Sequence, residues 1–81
     1  MNREQYNKLN KKHLSLGLKG LRLVNDHTLE DLSEYLNKDV AYLSRLENGK
    51  SSPKMETISD ILSFYNLTFK EFYDSLDEYL Y

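Results

Sequence analysis

Cysteine and tryptophan are absent from the 81 residues, and the chain holds a single proline, Pro53, and three glycines. Without cysteine there is no disulfide framework and no thiolate metal site. With so few breakers there is little material for the tight turns of a hairpin-rich β protein. No apolar run approaches the ~18 residues that a membrane-spanning helix needs. The stretch Met1 to Lys12 is too polar for the apolar segment of a signal peptide. Glycine-rich phosphate loops and paired histidines are missing as well, since His13 and His27 fall on separate elements. The carboxylates Glu30, Asp31 and Glu34 read as a solvated helix surface. The chain is therefore expected to be non-enzymatic, with no cofactor and no metal.

What is present suits one soluble globular domain: 40% hydrophobic and 30% charged residues. A domain this small buries a limited core, so extra helix packing or dimerisation would help it. Net charge is -2, which speaks mildly against a nucleic-acid partner. Its distribution matters more. Residues 1–22 carry six Lys/Arg against Glu4 alone, whereas residues 55–81 carry Lys70 against six acids. Phosphate contact needs positive charge on one face, not over the whole protein.

Apolar residues recur at helical spacing, and the pattern predicts an all-α chain of five helices. Leu14, Leu18 and Leu21 form the stripe of the first, which fades at Asn25-Asp26. Thr28 N-caps the second, with Asp31 reaching back, and Leu29, Leu32 and Leu36 point inward until Asn37. Asp39 caps the third, where Val40, Leu43 and Leu46 share a face, and Asn48-Gly49 stops it. Ser52 as N-cap and Pro53 at the first helical position start the fourth, which packs Met55, Ile58, Ile61, Leu62 and Tyr65 and ends at Asn66. Thr68 and Glu71 box the fifth, with Phe69, Phe72, Tyr73, Leu76 and Leu80 along it. Residues 1–12 are read as a basic arm or a short extra helix, and residues 13–81 as the helical domain.

The informative feature is the three-residue turn Asn37 to Asp39 between two helices. A link that short forces a steep crossing and leaves the third helix proud of the domain. Such a helix fits a DNA major groove, with its first residues at base edges. The stretch TLEDLSEYLNKDVAYLSRLENGKSSP, Thr28 to Pro53, resembles the helix-turn-helix of phage-repressor/Cro (Xre-type) regulators. The strongest part of the match is SRLENGKSSP followed by an apolar-periodic helix, and the similarity extends from about Leu14 to about Leu76.

The resemblance implies a five-helix repressor/Cro-like fold and assigns roles by position. Val40, Ala41, Tyr42 and Arg45 occupy base-reading positions, and Leu43 and Leu46 the core-facing ones. Lys38, Asp39, Ser44, Asn48 and Lys50 fall where the phosphate backbone is met. Arg22 and Glu47 match an ion pair tying the first helix to the end of the third. Departures from the family pattern are Leu29 for a phosphate-contacting Gln, Asn37 for the turn glycine, Lys38 for an apolar residue and Asp39 for a hydroxyl; Ser33 keeps the small residue of the second helix. Leu29 and Asp39 together remove a phosphate donor and add a repulsive charge.

Seven aromatics fall in the last 18 residues: Phe64, Tyr65, Phe69, Phe72, Tyr73, Tyr79 and Tyr81. Aromatic residues are enriched at interfaces, so a homodimer through the fifth helix is expected, with Phe72, Tyr73, Leu76, Tyr79 and Leu80 as contacts. The expected protein is a cytoplasmic, dimeric regulator of double-stranded DNA, acting as a repressor at a pseudo-palindromic operator. Two readings stand beside it: a protein-interaction module such as an antitoxin, or the DNA-binding piece of a longer regulator.

Overall fold

The computed structural model describes residues 1–76, and among these every regular element is a helix. They are α1 (Arg3–Val24), α2 (Leu29–Leu36), α3 (Val40–Glu47), α4 (Met55–Phe64) and α5 (Phe69–Asp74).

Local chemistry sets where helices begin and end. Three capping boxes open helices, Asn2 with Gln5, Thr28 with Asp31 and Thr68 with Glu71, each side chain bonding the other's backbone N–H. The N–H of Thr28 holds the Asp31 carboxyl below the usual range, and the N–H of Thr68 does the same for Glu71. Four helix ends close on one scheme. Asp26, Asn37, Gly49 and Asn66 take left-handed backbone at φ 57°, 54°, 73° and 57°. The N–H of the next residue then reaches back to a carbonyl of the last turn: His27 to Arg22, Lys38 to Ser33, Lys50 to Arg45 and Leu67 to Leu62.

The core unites Leu18, Leu21, Leu46, Ile58, Ile61, Leu62 and Phe72, all buried. Leu32 and Leu43 are buried as well, where α2 packs on α3. α5 docks on α1 at Gly17, which is buried; a Cβ there would run into Leu76 and lie 3.2 Å from the Phe72 ring. No larger residue fits that crossing without displacing α5.

Three expectations change. Residues 3–12 are neither an arm nor a separate helix. They are the first part of a continuous 22-residue α1, opened by the Asn2/Gln5 box and built from residues that favour helix, so the boundary at residue 12 falls inside it. The fourth helix starts after Lys54, not at Ser52-Pro53. Proline drives the residue before it toward extended backbone, and Lys54 itself is extended at φ -81°, ψ 151°. With that start Met55 points to solvent, 65% exposed, and Thr57 takes a buried place beside Ile58. Finally, Phe72 is fully buried in its own protomer's core and Leu76 packs against that core, so neither presents a free face to a second molecule. Of the five proposed dimer contacts Tyr73 is exposed, while Tyr79 and Leu80 lie outside the described residues.

Candidate nucleic-acid interface

The turn between α2 and α3 is closed by backbone and side chain together. Asn37 adopts the left-handed conformation, which an asparagine tolerates better than other non-glycine residues. The Ser33 hydroxyl donates to the Lys38 carbonyl, bridging the turn from within α2. Asp39 is extended at φ -65°, ψ 136° and stands at the N-cap of α3. Its carboxylate makes no capping bond, so the first-turn amides of α3 have no side-chain acceptor.

α3 divides cleanly around its axis. Leu43 and Leu46 are buried against the body, and Ala41, Arg45 and Asn48 are exposed at the i, i+4, i+7 spacing of a single outward stripe. Val40, Tyr42 and Ser44 flank that stripe half-buried, and Lys38, Asp39 and Lys50 are exposed at its two ends. Leu29, at the start of α2, is half-buried. Asn48 turns its side-chain amide onto the Ser44 carbonyl at 2.8 Å, and its backbone N–H bonds the same carbonyl at 3.0 Å. The N–H groups of Gly49 and Lys50 close the end of α3 as well. This end therefore presents side chains to a ligand, and its backbone amides are already engaged.

The pose of α3 is held by one guanidinium. Arg22 Nε donates to both Glu47 oxygens at 3.2 and 2.9 Å, Nη2 donates to Oε1 at 3.0 Å, and Nη1 donates to the His27 carbonyl at 2.9 Å. A single side chain so ties α1 both to the end of α3 and to the loop that enters α2. Both members are largely buried, with 11% and 6% of their side chains exposed. The Glu47 hydrogen bonds raise the Arg22 pKa above its ordinary value.

An aromatic cluster that spacing did not reveal braces the same junction. The His27 ring lies 4.7 Å from Phe64 and 5.5 Å from Tyr65, and Tyr35 lies 4.7 Å from Phe64. Phe64 and Tyr65 thus belong to the α1–α2 corner and are not spare interface residues. The Tyr65 hydroxyl is buried without a hydrogen-bond partner, and burial pushes its pKa up to about 12. An unfolded tyrosine ionises near 10.0. The folded state therefore keeps this proton more tightly. The stability it adds is complete below the unfolded value and is lost as pH climbs from 10.0 toward about 12. Alkaline unfolding followed by circular dichroism alongside phenolate absorbance is expected to fall in that window, and Tyr65→Phe to move it upward. An unchanged alkaline midpoint in Tyr65→Phe would show that this proton is not involved.

Comparison with known families yields a match to helix-turn-helix over residues 18–72. The matched span contains α2, the turn and α3, together with both ends of the Arg22–Glu47 pair. No curated protein and no solved structure matches the chain.

Proposed function

The chain belongs to the helix-turn-helix family of the Cro/C1, Xre-like type, and on that premise we propose that it is a sequence-specific repressor that binds double-stranded DNA as a homodimer. The supporting observation is the outward stripe Ala41–Arg45–Asn48 on a helix whose opposite face, Leu43 and Leu46, is buried and whose angle Arg22 and Glu47 lock. In this reading α3 lies in the major groove. Arg45 offers its guanidinium to a guanine edge, worth about 1–3 kcal/mol of discrimination. Tyr42 and Val40 make apolar contact with thymine methyls, and Ala41 permits close approach. Lys38, Ser44, Asn48 and Lys50 meet the phosphate backbone and carry register, not sequence. Asp39 sits at the phosphate line with a charge that opposes it, so Asp39→Asn is expected to tighten binding.

A dimer sets two recognition helices about one turn apart, ~34 Å, and so selects a pseudo-palindromic operator. Repression then needs nothing more than occupancy of a promoter. The reading brings with it a cytoplasmic location, because DNA is the partner, and a protein without catalytic chemistry. A protein-interaction module on the same fold is the second reading, favoured by Leu29 and Asp39, both unhelpful toward phosphate.

Selection from random duplexes with the purified protein tests the proposal. The expected result is an enriched palindrome that Arg45→Ala binds roughly 10- to 100-fold less tightly, with relaxed preference at one position per half-site. No enrichment at low salt would reject the DNA reading in favour of a protein partner. A promoter-reporter assay on the selected operator that gave activation and no repression would reject the repressor role.

A further inference from the structure

Two grooves flank the amino-terminal half of α1, and together they carry both signs of charge. The first, about 900 Å3, has Leu9 and Leu16 in its floor, Lys8, Lys12 and Lys19 along its rim, and Asn48 and Gly49 at its far end. The two leucines are seven residues apart on one stripe of α1 and are 39% and 40% exposed. Glu47, which also borders the groove, is already engaged by Arg22. The second groove, about 860 Å3, lies on the other side of Lys8 and Lys11 and has Tyr73 and Leu76 in its opposite wall. The exposed side of α5, Tyr73 and Asp74, therefore adjoins the lysine-bearing face of α1.

An apolar floor under ammonium groups needs an occupant with apolar side chains and carboxylates. A phosphate backbone supplies only the charge. A second α1 would bring lysine against lysine. The chain's own carboxy-terminal stretch has the required chemistry: after Lys70 it holds Glu71, Asp74, Asp77 and Glu78 with no base, among tyrosines and leucines. A patch with basic and acidic halves side by side is complementary to itself under a two-fold rotation. We infer that the chain dimerises through this patch, the basic groove of α1 in each protomer taking the acidic α5 face of its partner. This deepens the homodimer of the proposed function by naming both halves of its contact, and it is measurable without DNA.

Sedimentation equilibrium of the intact chain gives the test. At low salt the expected mass is that of a dimer, and raising salt dissociates it, because exposed charges are screened. Lys8→Glu/Lys12→Glu changes exposed positions only. Glu71→Gln/Asp74→Lys reverses the α5 charge while keeping the capping box. Each variant alone is expected to dissociate at least 100-fold more readily than the natural chain, and an equimolar mixture of the two to recover the dimer, since acidic α1 then meets basic α5 in both contacts. Leu16→Glu, at another exposed position, is expected to dissociate the dimer equally. Circular dichroism checks that every variant is folded. A monomer at low salt, a dimer indifferent to both charge reversals, or folded variants whose mixture stays monomeric would each overturn the inference. So would a Lys8→Glu/Lys12→Glu chain of unchanged mass that has lost affinity for DNA, which would make these lysines phosphate contacts.

Discussion

Glu47→Ala is expected to lower stability by about 3–5 kcal/mol, because it strands the Arg22 guanidinium inside the protein with three of its donor contacts gone. For a chain of this length the whole folding free energy is on the order of 4–12 kcal/mol, so the variant is near or past the point of unfolding. Thermal denaturation should show a fall in Tm of about 15 °C or more. The sign of the companion variants separates an ion pair from mere packing. Arg22→Lys should lose most of the same stability, since a compact ammonium cannot grip two carboxylate oxygens and a carbonyl in one plane. Arg22→Met/Glu47→Leu should lose less than either single change, because no charge is left unpaired. A Glu47→Ala loss below about 1 kcal/mol would mean that water reaches the pair and that α3 is oriented by Leu43 and Leu46 alone.

Phe72→Ala is expected to cost about 3–5 kcal/mol, the range for emptying a fully buried aromatic site. The ring fills the place where α5 crosses α1 over Gly17, and neither backbone can follow a shrinking side chain there without undoing the Thr68/Glu71 box that starts α5. Tyr73, one residue on and 47% exposed, should tolerate alanine with a change within about 0.5 kcal/mol in the monomer. Urea unfolding of the two variants, compared at a protein concentration where the chain is monomeric, distinguishes them. Equal losses at both positions would contradict the burial difference described above.

How far the sequence could be read depended on the range of the forces involved. Thr28 with Asp31 and Thr68 with Glu71 were legible because a capping box is complete within four residues. Asn37 and Asn66 were legible because few residues accept left-handed backbone. The inward face of α3, Leu43 and Leu46, followed from period alone. The extension of α1 was missed although Asn2 and Gln5 carry the same box as Thr28 and Asp31; the run behind it buries almost nothing, and a helix without an apolar stripe has no period to detect. The start of α4 was misplaced because Ser52-Pro53 satisfies a local rule that the extended Lys54 overrides. The His27–Phe64–Tyr65 cluster, the fit of Phe72 over Gly17 and the engagement of the Asn48–Lys50 amides all depend on how helices distant in sequence lie together, and spacing does not carry that information.

The four left-handed closures and three capping boxes bear on how quickly the chain acquires its shape. Each is finished within a few consecutive residues, so helix limits are decided before distant segments meet and little loop-closure entropy is spent on them. Ordering of this kind puts helical proteins in the microsecond-to-millisecond range. The long-range event is the arrival of Phe72 at Gly17, which joins segments more than fifty residues apart. That encounter sets the rate-limiting step, and a temperature-jump relaxation would read it as a single phase slowed by changes at the α1–α5 crossing and indifferent to the outward stripe of α3.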